Sequence, residues 1–165
     1  MPDGKTLYLV RHAEAAWMGS GQRDFDRPLN ARGEGDAMEM GQRLKECDVF
    51  PHTIISSPAL RAAQTSEVIA TEIGFPVEAI VFRKSIYEAA VSDLLEIIQS
   101  VDDDLNSAMI IGHNPSIGWL ISQLSDKHIA NAPTSTIATF FIPSEHWKAT
   151  GTVATALLDI DHPKK

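Results

Sequence analysis

The 165 residues, 44% hydrophobic and 22% charged, have the composition of an ordinary water-soluble globular chain, long enough for one core and cramped for two. With 14 basic against 22 acidic residues the net charge is -8, which argues against a general nucleic-acid surface or an anionic-membrane surface. Any anion site must be a local gathering of Arg and His, and a single cysteine, Cys47, rules out an intrachain disulfide.

The amino terminus runs from Met1 to Lys5 straight into the first predicted strand, without a signal-like segment, and no apolar run reaches membrane-spanning length. A cytoplasmic protein is expected. Leu7 to Val10 form a continuous apolar run suited to a strand buried on both faces, which places Arg11 and His12 at its carboxyl end. In open α/β sheets that edge is where ligands bind. Taken alone, the pair fits a surface charge and a structural imidazole as well as it fits catalysis.

Ala13 to Pro28 has no period and is long for a connection, so a functional loop over the carboxyl edge is expected. Asn30 can cap a helix with Ala37, Met40, Gly41 and Leu44 on its core face. Cys47, among acidic neighbours, reads as a buried or spare thiol. His52 to Ser57 reads as a second strand, followed by a helix with Ser57 as cap and Pro58 at its first position, ending near Gly74. Arg61 then lies in the first helical turn, near the unsatisfied N–H groups that favour an anion.

Val77 to Arg83 reads as a third strand, and Val91, Leu94, Leu95, Ile98 and Val101 recur at helical spacing after it. Glu88 falls between them, at a strand's carboxyl end. Asp102, Asp103 and Asp104 read as a solvated helix end. Ala108 to Ile111 is a fourth strand entering Gly112-His113-Asn114-Pro115, with Asn114 as cap and Pro115 opening a helix through Ile117, Leu120, Ile121 and Leu124. Thr136 to Ile142 and Thr152 to Ile160 read as two strands joined by a short bend, hence antiparallel. Asp161 to Lys165 read as a frayed tail.

This order predicts one domain over residues 1–165, a three-layer α/β/α sandwich with right-handed crossovers and a mostly parallel central sheet carrying an antiparallel edge. Arg11, His12, Arg61 and His113 then meet over one crevice. Two guanidiniums can grip a phosphoryl group, one imidazole can attack phosphorus in line, and the other can hydrogen-bond an equatorial oxygen. The residues do not say which His attacks. The arginines can supply the charge stabilisation that a metal supplies elsewhere, so neither metal nor cofactor is expected. His52, His128, His146 and His162 are scattered and read as surface or hydrogen-bonded residues.

Leu-Val-Arg-His-Ala-Glu at 9–14, Ser-Ser-Pro-Ala-Leu-Arg-Ala-Ala-Gln-Thr at 56–65 and Gly-His-Asn-Pro at 112–115 resemble the histidine phosphatase, or phosphoglycerate-mutase-like, superfamily. Arg27 to Gly33, the short length and Ala-Pro-Thr-Ser at 132–135 resemble its SixA-type phosphohistidine phosphatases. The resemblance implies that His12 is the nucleophile, forming a transient phosphohistidine, and that Arg11, Arg61 and His113 complete the phosphate pocket. Relatives that cleave esters use a carboxylate general acid, to which Glu88 corresponds by position; an exposed loop acid is the alternative for that residue. Two departures stand out: Ala13 where many relatives carry Gly, and no long insertion before the fourth strand to cover the pocket.

A phosphohistidine-bearing protein is the expected partner, because exchange of one P–N bond for another makes little demand on a general acid. A small-molecule phosphomonoester is the alternative substrate and would need Glu88 in place and protonated. A non-catalytic phosphoryl-binding module is a third reading, which does not need an attacking group.

Overall fold

The computed structural model describes residues 3–17, 19–129 and 132–163. Strand β1 (Lys5–Arg11) shows why the apolar run had to be buried twice: Leu7 and Leu9 enter one core cluster, Tyr8 and Val10 the other. Strands β2 (Thr53–Ser56), β3 (Val81–Phe82) and β4 (Ser107–Gly112) run parallel to it. Strands β5 (Ile137–Ile142) and β6 (Ala156–Asp161) add an antiparallel edge, and among the described residues the sheet has the order β3-β2-β4-β1-β5-β6.

Helices α1 (Ala31–Glu46) and α2 (Leu60–Ile73) cover one face, burying Met40, Leu44, Ile69 and Ile73 with Val10, Ile54 and Met109. Helices α3 (Val91–Gln99) and α4 (Ser116–Ser125) cover the other, with Leu94, Ile98, Leu120 and Ile121 against Leu7, Leu9 and Ile110. This is the α/β/α sandwich. The chain leaves β1 and β2 toward one face and β3 and β4 toward the other, so β1 and β4 flank the place where their loops diverge.

Local chemistry sets the helix ends. The Asn30 side chain accepts from Gly33 N at 2.7 Å, and Gly74, at φ 81°, closes α2 in the left-handed conformation. At Gly33 a Cβ would lie 2.0 Å from the Glu14 carbonyl oxygen, so the first turn of α1 rests directly on the backbone that follows His12. Gly41 similarly lets α1 approach α2 at Glu72 and Ile69.

Several expectations are corrected. Val77–Ala79 forms a 3-10 turn and only Val81 and Phe82 pair with β2; both are exposed, so an edge strand gains nothing by continuing. Helix α2 starts at Leu60 with Ala59 at its cap and Pro58 outside it; the Ser57 hydroxyl instead accepts from Ala59 N and reaches His113. Helix α4 follows a cis Asn114–Pro115 bond with Pro115 at the cap position, while Asn114 Oδ1 accepts from Gly118 N at 3.2 Å. Thr152 and Val153 fold back onto Ala149, which delays β6 to Ala156.

Asp161, expected in a frayed tail, is the last residue of β6, and its carboxylate accepts from Arg43 at 3.0 Å; Lys164 and Lys165 lie outside the described residues. Cys47 is exposed. Among the described residues no helix is long and apolar enough to cross a membrane.

Candidate active site

The sheet ladder continues one residue past the strands at the carboxyl edge. His12 N donates to Gly112 O and Ser57 N to Ile111 O, each at 3.0 Å, so the chain ends of β1, β2 and β4 stay in register as they leave the sheet. His12 and His113, from adjacent strands, face each other with ring centroids 5.1 Å apart. Arg61, one residue into α2, brings its Nε to 3.4 Å from His12 Nε2. Arg11 donates from Nη1 to Ala132 O at 2.8 Å, and its charge is close enough to Arg61 for the two to oppose one another. All four expected residues therefore converge.

The protonation of His12 follows from its partners. Nδ1 lies 2.7 Å from the carbonyl oxygen of Ala13, an acceptor, so Nδ1 carries the proton and Nε2 keeps its lone pair facing the Arg61 N–H. Burial pushes the imidazole down to about 3; the Ala13 bond works against this, while His113, Arg61 and Arg11 add to it. His12 is thus neutral at neutral pH. Behind it, Thr65 Oγ1 accepts from Ala13 N at 2.9 Å and donates to Arg61 O at 2.7 Å, tying the backbone beside His12 to the helix that presents Arg61.

His113 is held down to about 4, first by burial and then by the charge of Arg61. Its Nε2 lies 2.8 Å from Ser57 Oγ. That oxygen accepts from Ala59 N, and among the described residues His113 Nε2 is the acceptor within reach of its hydroxyl proton, an arrangement that leaves the His113 proton for Nδ1. His113 Nδ1, Arg11 Nε, Ser135 Oγ and Thr136 Oγ1 are buried without a partner among the described residues. Ser135, at φ 66°, donates its N–H to the carbonyls of Arg11 and His12, so these groups gather round one strand end.

The fifth expected residue fares differently. Glu88 is exposed, at φ 60°, and among the described residues no hydrogen bond holds its side chain. Its neighbour Tyr87 is the residue that reaches the site, its ring 5.6 Å from that of His113 and its hydroxyl donating to Asp24 Oδ2 at 2.8 Å. Asp24, in a 3-10 turn (Asp24–Asp26) of the long loop, also accepts from Arg61 Nη1 and Nη2 and from Arg27.

Asp24, Tyr87, Ser57, Thr65 and Ser135 were not among the residues expected from sequence. The signal for Asp24 was its place three residues before Arg27-Pro28, within a loop already suspected of function. Ala13 is buried without positive φ, so the departure from Gly costs no backbone strain. Seven residues, 100–106, join α3 to β4, and nothing in that link is long enough to cover the pocket. Among the described residues, no group of three His, Cys, Asp or Glu side chains is arranged to hold a metal ion.

Residues 7–88 match the family profile of the histidine phosphatase superfamily, branch 1. An uncharacterized protein of a Picosynechococcus strain is 31% identical over 114 residues, 68% of each chain. An uncharacterized chloroplastic protein of Arabidopsis thaliana is 33% identical over 70% of this chain, which spans 56% of that relative's length. Among solved structures, a protein assigned as the phosphohistidine phosphatase SixA of Agrobacterium tumefaciens superposes with TM-score 0.83 at 28% identity over 99% of both chains. A protein histidine phosphatase SixA complexed with tungstate shares the fold, with TM-score 0.80 at 22% identity over 96% of this chain and 97% of that one.

Proposed function

The chain belongs to the histidine phosphatase superfamily, of the SixA type, and from that premise we propose that it removes phosphate from phosphohistidine on a protein, with His12 as nucleophile. The observation that carries this reading is the His12 Nδ1–H bond to Ala13 O, which leaves an unprotonated Nε2 beside Arg61, with the Arg11 charge also acting on the ring. Residues 1–165 act as one catalytic domain, and the reaction needs no bound metal.

In the first step His12 Nε2 forms a bond to phosphorus as the substrate's P–N bond breaks. A substrate ring already protonated on its other nitrogen leaves as neutral imidazole. The phosphorylated His12 ring keeps its Nδ1 proton and is cationic, and the Ala13 carbonyl stabilises that charge. Arg61 and Arg11 hold the equatorial oxygens, and His113 Nδ1–H donates to one of them. Water then attacks phosphorus, the His12 P–N bond breaks, and inorganic phosphate leaves with both water protons. A phosphomonoester would require a proton for its alkoxide, and the exposed, unbonded Glu88 is poorly held to give one. That favours the P–N substrate.

The test is turnover of a phosphohistidine-bearing protein and, separately, of p-nitrophenyl phosphate, with EDTA present, by wild type and His12→Ala. The expected result is His12-dependent loss of phosphohistidine. Turnover of the ester alone would point to a metabolite phosphatase, and binding of phosphate without any turnover to a binding module.

A further inference from the structure

Arg61 is held from outside the pocket by a group that lies beyond the reacting atoms. The guanidinium has two usable forks, one made by Nη1 and Nη2 at its tip and one made by Nε and the second Nη2 proton along its side. Asp24 takes the tip fork: its backbone oxygen accepts from Nη1 at 2.8 Å and its Oδ2 from Nη2 at 2.9 Å. The side fork is the one that faces His12 Nε2. We infer that Asp24 is a positioning residue, whose clamp on the tip of Arg61 aims the side fork at the phosphoryl group beside His12; this rests on the phosphatase reading above.

The clamp is itself braced. Tyr87 donates to Asp24 Oδ2 at 2.8 Å and Arg27 Nη1 to Asp24 Oδ1 at 3.1 Å, while Arg27 Nε donates to Ala16 O at 3.1 Å and its guanidinium stacks over Trp17 at 5.2 Å. Two alternative roles fit less well. Partial burial would raise the Asp24 carboxyl, but the bonds from Tyr87, Arg61 and Arg27 outweigh it and hold it down to about 2, so it has no proton to give a leaving group at neutral pH. An internal plug that mimics phosphate would sit on the side fork, which Asp24 leaves open.

Aiming and attraction then separate on mutation. Removing the carboxylate leaves Arg61 with the backbone half of the clamp alone, loosening its aim, and also leaves the pocket more positive. Asp24→Ala should therefore lower kcat for phosphoramidate and p-nitrophenyl phosphate, roughly ten- to a hundredfold. Its inhibition constant for inorganic phosphate should be unchanged or lower. Asp24→Asn, which keeps one acceptor for Arg61, should fall between Asp24→Ala and wild type. An unchanged kcat, a raised kcat as for a released plug, or a loss confined to KM would overturn the inference.

A readout independent of turnover is the Arg61 Nε–H resonance, assigned by its loss in Arg61→Lys. It should be sharp in wild type and broadened in Asp24→Ala, and an unmoved signal would overturn the clamp whatever the kinetics. If His12→Ala kept phosphatase activity, the proposed function would fall, and this resonance would still decide whether Asp24 orients Arg61.

Discussion

The two ends of the parallel strands carry similar side chains and treat them differently. At the amino end, Lys5 is 2% exposed with Nζ bonded to Asp103 O and Asn106 Oδ1, and Asp103 accepts from Trp147 N and His146. Trp147, fully buried, donates Nε1–H to Leu105 O at 2.8 Å. The two buried groups there, Lys5 Nζ and the Trp147 indole N–H, are met by backbone carbonyls and Asn106, while the exposed Asp103 carboxylate takes Trp147 N and His146. At the carboxyl end His113 Nδ1, Arg11 Nε and two hydroxyl oxygens are buried and unspent. Buried polar atoms without protein partners are a cost that a bound ligand or water offsets, so polar completeness within the protein, more than residue type, separates a structural cluster from a binding one.

The largest effect that bears on this contrast is His12→Ala, which should abolish turnover and phosphoenzyme labelling while circular dichroism stays that of wild type. Arg61→Ala should follow, costing on the order of a hundred- to a thousandfold in kcat/KM. In the same variant, inorganic phosphate should no longer raise Tm. At the opposite end Trp147→Ala should do the reverse, destabilising by about 3–5 kcal/mol in urea unfolding with kcat unchanged. Loss of activity in a folded Trp147→Ala would erase the distinction between the two ends.

Acid supplies a smaller effect. His12 and His113 titrate near 3 and 4 when folded, below their ordinary 6.5, so the unfolded chain takes up protons first. Their contribution to stability is complete above about pH 6.5 and is lost as pH falls through 4 toward 3. The midpoint of urea unfolding should decline over that window, and more shallowly in His12→Ala. Smallest is Ser57→Ala, which releases His113 Nε2 and should reduce kcat several-fold with little change in Tm.

Much of this was legible because it was local. The apolar run of β1, the Asn30 cap and the Gly74 stop each depend on neighbours in sequence, and the fold that follows puts Arg11, His12, Arg61 and His113 together. Ser57 was misread for the opposite reason: Ser-Pro is a helix-start signal, and only the presence of His113 across the sheet explains why the hydroxyl serves a ring instead. Asp24 and Tyr87 are 63 residues apart on segments without period, so their meeting over Arg61 has no signature in either stretch alone. Glu88 is the candidate acid by its position after the third strand, where ester-cleaving relatives carry a carboxylate, whereas the positive φ at its exposed site belongs to the folded chain.

Gly33 is far from the chemistry in every ordinary sense, yet its missing side chain is what lets α1 sit on the Glu14 carbonyl just beyond His12. A methyl there would have to push the start of the long loop, and with it the segment that carries Asp24. In an unbiased screen for loss of function, Gly33→Ala should surface beside Arg61 substitutions, and a genetic map drawn from such hits would mark the heel of this helix as part of the active site.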